Sequence, residues 1–573
     1  MNKARRLLKY FRTFAHKMKR IALFLLFLTH LTAFAQPKYE VRAVWLTVLG
    51  NLDWPTGSFL DGEDAAAQQQ ELVNILDRLK AINVNTVLLH TRVRATTIYP
   101  SDIEPWVPYL SGRAGVSPGY DALQFAIDEC HKRGMELHAW VVTIPIGKWK
   151  TYGCQQLRQR FPSMVKHIGE EGYLNPEDSR TADYIADVCE EITRRYDIDG
   201  IHLDYIRYPE TWKGRKDPDN ITRIVKSIHD RVKYYKPWVK LSCSPVGKYD
   251  DLSRYPSRGW NARRTVAQDA QGWLREGLMD QLYPMMYFKE NNFYPFAIDW
   301  QENSYGRTIV SGLGTYMLHP QERNWTLNEM KRQLNVTRQI GVGHCHFRAR
   351  FLLNNVKGIY DYMRHFDSHP ALTPPMKWEK SVAPDAPTTL QVVRTPQGDR
   401  LTWSGARDWS DGPYLLYNIY ASAEEPVDIN NPANLVATRY MHTSLTLSTK
   451  PAQAVASASQ TTDQQPVRHY AVTALDRYGN ESAPVRESGT AAAGHYVSNV
   501  LLPNDGLYLN VPHQPLDARL LQVCDLQGRV VYTCVNIPRI SIALLRDGMY
   551  MLKSVNKKGV THRLGHFIIK RKD

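Results

Sequence analysis

Eight short apolar runs rich in β-branched and aromatic residues recur between residues 41 and 347, and stretches of helical periodicity separate them. The runs are 41–48 (VRAVWLTV), 84–90 (VNTVLLH), 135–143 (MELHAWVVT), 197–204 (DIDGIHLD), 239–245 (VKLSCSP), 279–287 (MDQLYPMMY), 307–313 (RTIVSGL) and 341–347 (GVGHCHF). Helical patterns occupy 64–81, 120–133, 178–196, 219–235, 262–276, 325–339 and 350–364, while the 290–303 connection is aromatic and less clearly helical. Parallel strands need helical crossovers, and eight strand–helix units close a sheet on itself, so the pattern predicts one (β/α)8 TIM barrel over residues 36–370. A doubly wound open sheet is the alternative; it needs fewer strands, and no Gly-rich dinucleotide turn follows the first run.

With 573 residues the chain is too long for this barrel alone. A Pro-rich stretch at 371–382 reads as a linker that few contacts cross, leaving the barrel to fold and act by itself. Two small all-β domains are expected beyond it, at 383–492 and 493–573. In the first, Trp403, Tyr417 and Tyr420 are expected to fill the space between two sheets, and the stretch 451–466, poor in bulky residues, reads as a loop. At the other end, residues 1–35 read as a signal peptide: eight Lys and Arg, an apolar run from Ile21 to about Phe34, then Ala33-Phe34-Ala35 as a small-x-small cleavage site. Those eight cations belong to a formal net charge of +15, so the remainder carries a mild excess of +7. That excess suits an anionic wall polymer better than nucleic acid, and no later stretch is apolar enough to span a bilayer. A secreted or outer-membrane-surface location is expected, with the periplasm as the alternative. The seven Cys include Cys524 and Cys534, which flank a hairpin-like segment as a candidate pair; the absence of C-x-x-C gives no support to a zinc ribbon or thioredoxin-like site.

In such a barrel the chemistry sits at the C-terminal ends of the strands. Side chains alternate along a strand, so Ile201 and Leu203 should pack on helices while His202 and Asp204 point inward. By the same rule His138 and Trp140 on the third strand, and His90 on the second, face in. A carboxylate at that position is costly to bury without a use or a partner, which makes Asp204 the leading catalytic candidate. Were such a carboxylate to act on a glycosidic bond, it would need a second carboxyl group, about 5–5.5 Å away for retention or about 6.5–9.5 Å for inversion. Rim-loop candidates are Asp53, Asp250 and Glu290. Aromatic faces suit sugar rings. Trp45, Trp54, Trp140, Tyr208, Tyr283, Tyr287 and Phe288 lie at or near the expected rim, Trp45 being equally a core residue. Arg92, Arg94 and Arg207 are placed to orient sugar hydroxyls or a glycan carboxylate, or to pair with rim acids. Asn175, before Pro176, ends the loop after the third strand within reach of the cleft.

The blocks VRAVWLTVLGNLDWP (41–55), HTRVRATTIYPS (90–101), HKRGMELHAW (131–140), YLNPEDSRTADYIADVCEEITRRYDIDGIHLDYIRYP (173–209), SPVGKY (244–249) and LYPMMY (282–287) resemble the family-10-like glycosyl hydrolases, a group of exported bacterial barrels. The resemblance implies a barrel acting on polysaccharide without a cofactor, Asp204 at the family's acidic strand-4 position, and peptidoglycan-derived or other amino-sugar glycans as substrates. Two departures stand out. Many relatives carry a second Asp where this chain has Tyr205, and Gln and Trp where it has Met285 and Phe288. Residues 383–490, with RLTW, YNIY and YAVTALDRYGNES, resemble a fibronectin type III domain. DLQGR with Gly528, the Gly548/Tyr550 pattern and the basic Lys570-Arg571-Lys572 end resemble the C-terminal sorting domain of type IX secretion, which implies that machinery as a partner.

Two rival functions remain open from the sequence. His90, His138, His202 and Asp204, with His344 and His346 on the last strand, offer donors for one divalent ion in a deacetylase or amidohydrolase, although no H-E-x-x-H occurs. The missing second acid at Tyr205 motivates a glycan-binding barrel without turnover.

Overall fold

The structure, a computed structural model, describes residues 36–571 except 63, 396–397, 411, 449–467, 488–501, 503, 505–506, 512–517, 526–528, 538 and 557–560. The signal-peptide segment, the 451–466 stretch, Gly528 and Lys572 therefore lie outside the described residues.

Eight parallel strands close into a barrel: β1 (Arg42–Leu46), β2 (Thr86–Arg92), β3 (Glu136–Val142), β4 (Gly200–Asp204), β5 (Lys240–Cys243), β6 (Gln281–Leu282), β7 (Thr308–Leu313) and β8 (Gly343–His346), with β8 pairing back on β1. The principal helices are α1 (Ala65–Lys80), α2 (Ala122–Lys132), α3 (Arg180–Arg195), α4 (Pro218–Tyr235), α5 (Ala270–Arg275), α6 (Tyr294–Glu302), α7 (Leu327–Gln339) and α8 (Ile359–Phe366). Several begin where an Asp or Thr satisfies the first free N–H groups. Asp121 accepts from Leu123 and Gln124, and Asp217, ahead of Pro218, accepts from Asp219. The outward residues of the strands, among them Val87, Leu89, Leu137, Ala139, Ile201 and Leu203, join the inner faces of the helices in one core.

The elements depart from the sequence pattern where local chemistry overrides periodicity. β6 is only two residues long because Pro245 and Pro284 have no N–H to give the ladder; Met285 continues it as an isolated bridge to Val246 and Gly312. The expected 262–276 helix splits at Ala267, whose φ is 55°, because Asn261 and Asp269 each cap a new start. The 290–303 connection does hold a helix, α6. Between β3 and α3 an unforeseen insertion forms a three-stranded sheet (Pro145–Lys148, Val165–Ile168, Glu171–Leu174) with a short helix, Tyr152–Arg160.

Two all-β units follow. In the first, sheets of three and four strands enclose Leu401, Trp403, Tyr417, Ile419, Tyr470 and Val472. Tyr420 is not among them: it falls on the other face of its strand, against Leu372, Val427 and Leu435. The last unit is a four-stranded sheet with a two-stranded ribbon over Leu509, Leu521, Val523, Ile540, Leu552 and Phe567. Cys524 and Cys534 are both free, because Cys534 stands opposite Leu521 and Cys524 opposite Val530.

The linker expectation fails. The first β unit sends Arg439 and Arg477 into the N-terminal end of the barrel. Arg439 donates to Glu136 Oε1 (3.1 Å) and pairs with Asp199, while Arg477 reaches Asp197 (2.7 Å) and Asp199 (3.2 Å). Lys240 (2.6 Å), Thr373 (2.7 Å) and His138 (3.1 Å) complete the surroundings of Glu136, and Trp378 of the linker donates to Asp280 (2.8 Å). Burial opposes ionisation of Glu136 and Asp199, but these cations win and hold both carboxyls below the ordinary carboxylate range. A depressed folded-state value stabilises the fold above the unfolded range and is lost as pH falls through it. Removing one partner of a buried pair strands the other charge. Arg439→Met should therefore cost about 3–5 kcal/mol of stability at neutral pH, read from the denaturant midpoint of the full chain, with the deficit shrinking below about pH 4. A loss under about 1 kcal/mol would show the contact to be dispensable.

Candidate active site

Asp204 is the last residue of β4, and the chain turns immediately after it at Tyr205, whose φ is 52°. That turn brings the Tyr205 N–H onto Asp204 Oδ1 (2.8 Å), beside the Ser244 hydroxyl (2.7 Å) from the end of β5. Trp140 of β3 donates to the other oxygen at 3.2 Å. The side chain is 8% exposed, and no cation lies within ion-pair distance among the described residues. Burial raises its pKa; the Ser244 and Tyr205 hydrogen bonds, the Arg207 charge and the Trp140 bond pull the other way and lose. The result is a carboxyl at the barrel mouth that keeps its proton to higher pH than a free aspartate.

Trp140 also carries His90, stacked face to face at 3.6 Å between ring centroids and 12° between planes. His90 is 3% exposed, and among the described residues neither ring nitrogen has a partner. Burial first, then the charge of Arg94, push its pKa down to about 3, so the imidazole is neutral and offers one donor and one acceptor. On the β6–β8 side, Tyr287 stacks on Phe347 (5.4 Å) with Tyr316 edge-on (5.7 Å). Tyr205, 38% exposed, lies over the Arg207 guanidinium (4.4 Å), which donates to Glu210 Oε1 (2.8 Å).

The other candidates fall elsewhere. His202 sits one layer deeper, accepting from the Trp45 indole (3.2 Å) and bonding Ser242 (3.0 Å), with Tyr283 edge-on; the Tyr283 hydroxyl donates to Gln281. His138 is lower still, on Glu136. These three fill the barrel and are closed to a ligand. Arg92 is wholly buried, forked onto Glu104 and onto the Val142 and Thr143 carbonyls. Tyr208 is buried beside Trp212 and bonds Asn220, and Asn175 closes the turn before α3 through Glu177 and Thr181. Trp54 is core, donating to the Gln68 carbonyl.

Nor does the expected second acid stand beside Asp204. Asp53 accepts from Thr47, Arg348 and Arg350 and latches the end of β1 to the loop after β8. Asp250 pairs with Arg264 (2.8 Å), and Glu290 is exposed on a 3₁₀ turn. For the metal alternative, His344 bonds Asp367 and His346 bonds Thr315, away from His90, so no three such donors converge among the described residues. Ser244, Tyr316, Phe347 and Glu210 were missed. Ser244 was within reach of strand alternation, since it follows Ser242 by two.

A protein-family model described as glycosyl hydrolase-like 10 matches residues 40–220 and 210–312. Glycosyl hydrolase YngK of Bacillus subtilis (strain 168) is 30% identical over 409 residues, covering 64% of this chain and 79% of the relative. Glycosyl hydrolase DigH of Escherichia coli (strain K12) is 27% identical over 353 residues, covering 52% and 80%. The catalytic domain of a β-amylase from Paenibacillus polymyxa aligns at a TM-score of 0.39 and 10% identity, over 58% of this chain and 99% of that one, a likeness too distant to bear on the chemistry.

The Ser244 bond favours the charged form of Asp204, so its loss should raise the titration point further. In infrared difference spectra, the Asp204 carboxyl band should persist to higher pH in Ser244→Ala, by about one pH unit. A shift to lower pH would mean that the hydroxyl does not face the carboxylate.

Proposed function

The chain belongs to the glycosyl hydrolase-like 10 family and is a glycosidase, and on that footing we propose that it is exported and cleaves O-glycosidic bonds of a polysaccharide, peptidoglycan-derived glycan foremost, with Asp204 as proton donor. The observation that carries the reading is a buried carboxyl at the mouth with hydrogen-bond donors but, among the described residues, no cation in contact, its pKa raised by that burial. In the reaction the C1–O bond breaks with its electron pair moving to the leaving oxygen, which takes the Asp204 proton; water then forms the new C1–O bond at the oxocarbenium-like centre and gives its proton to the second carboxylate. The Tyr287–Phe347 pair and exposed Tyr205 offer faces to the sugar ring, over a floor formed by the buried His90–Trp140 stack.

The second carboxyl role we give to Glu210 rather than to Asp250 or Glu290. Glu210 is tied by Arg207 to Tyr205, the residue after Asp204. Export is part of the same proposal, supported by the charge and hydropathy pattern of residues 1–35. The resemblance of the terminal β unit to a sorting domain makes the type IX machinery a partner and the cell surface or medium the destination. No described helix is long and apolar enough to cross a membrane.

Incubating the full chain with peptide-free peptidoglycan strands and a panel of other polysaccharides, with products read by mass, tests the assignment. Asp204→Asn should keep its melting temperature and lose at least roughly 10³-fold in kcat, Glu210→Gln should lose at least about 10²-fold, and Asp250→Asn and Glu290→Gln should stay near wild type. Wild-type turnover in Asp204→Asn would remove this residue from the mechanism.

A further inference from the structure

Beyond β2 the chain makes a two-residue hairpin at the barrel mouth. Arg92 and Thr97 pair antiparallel, the Val93 N–H donates to the Thr96 carbonyl (2.7 Å), and the Thr96 hydroxyl returns to the Val93 carbonyl (2.6 Å). Its two central residues, Arg94 and Ala95, both have positive φ, 55° and 61°. Two-residue hairpins of this hand favour Asn, Asp or Gly at these places because a Cβ is strained there. Here an arginine and an alanine hold them.

The tip is also clamped. A Cβ added at Gly153 would lie 2.4 Å from the Ala95 carbonyl oxygen, and one at Gly147 would lie 3.6 Å from the Arg94 Cβ, so the insertion after β3 packs directly on the hairpin. Backbone strain that the surroundings enforce is a mark of functional sites.

Arg94 differs from its neighbours in what it lacks. Arg92 is forked onto Glu104, Arg207 holds Glu210, Arg348 holds Asp53, and Lys248 donates to Asn292. For Arg94, half-buried, no carboxylate or other acceptor lies within bonding distance among the described residues. Its charge reaches the cleft all the same. After burial it is the second influence on His90, and it opposes the burial-driven rise of the Tyr109, Tyr173 and Tyr205 phenols. The unpartnered His90 imidazole, stacked on the Trp140 that touches Asp204, links this cation to the reacting end of the site.

We infer that Arg94 is a specificity residue: it binds a carboxylate on the sugar residue seated at the barrel mouth above Asp204, so that the enzyme selects acidic over neutral glycans. The guanidinium fork matches a carboxylate in two parallel N–H···O bonds, and a half-buried cation without a counter-ion is where such a group is worth most. This inference rests on the glycosidase reading above and narrows its substrate class.

The test measures binding separately from turnover. Full-length Asp204→Asn is titrated calorimetrically with three acidic glycans: peptide-free peptidoglycan strands, oligogalacturonate and heparosan. Each is paired with its carboxyl-reduced counterpart. At least one acidic member should bind at least tenfold tighter than its reduced partner, and adding Arg94→Gln should erase that difference, with Arg94→Lys keeping part of it. The inference is overturned if no acidic member binds better than its reduced form, or if the preference survives in Arg94→Gln. Tight binding that follows Arg94, with no cleavage of any panel member by the wild-type chain, would uphold the recognition site and count against the proposed reaction instead.

Discussion

Two carboxyl groups buried in the same barrel are shifted in opposite directions, and the difference is their partners. Glu136, the first residue of β3, is shielded from water but meets Lys240 and Arg439, and it stays ionised. Asp204, the last residue of β4, is nearly as buried and meets a hydroxyl, an indole and a backbone N–H, with no cation in contact among the described residues. Desolvation then wins and its pKa rises. One end of the lumen becomes a charged clamp that holds the fold, and the other carries a carboxyl that holds its proton more tightly than a free aspartate. Between them the Trp45–His202–Ser242 chain satisfies its polar atoms internally and keeps the interior solid.

The two ends also differ in how they treat strain. The bottom is closed by the first β unit, whose arginines join Lys240 and His131 of the barrel around Glu136 and Asp199, so the unit is part of the barrel's electrostatic closure. The mouth carries non-glycine residues with positive φ at Arg94, Ala95 and Tyr205. Each costs free energy that the rigid sheet beneath can hold in place. Tyr205 is the clearest use of that strain, because its turned N–H is one of the donors on Asp204.

Period-two alternation made much of this legible in sequence. It placed Asp204, Trp140 and His90 inside the barrel, and Ile201 and Leu203 against the helices. It could not tell depth, and so His138, His202 and Tyr283 were drawn toward the cleft although they fill lower layers. Nor could it tell pairing. Arg92 with Glu104, Asp53 with Arg348 and Asp250 with Arg264 are matches between separate loops that exist only once the sheet closes. Composition likewise hid the junction. A Pro-rich stretch reads as a spacer, yet its Trp378 and the arginines beyond it are bound to buried acids of the barrel.

The central claim is that Asp204 acts in its protonated form. The pH dependence of kcat/KM on a cleaved glycan tests it most directly, because it reports the ionisation of the free enzyme. The account predicts an alkaline limb with a midpoint above the ordinary aspartate value of about 3.9, activity being lost as the proton leaves. A rising limb from the second carboxylate is compatible with this; a profile that only rises through that value and shows no alkaline limb would contradict it.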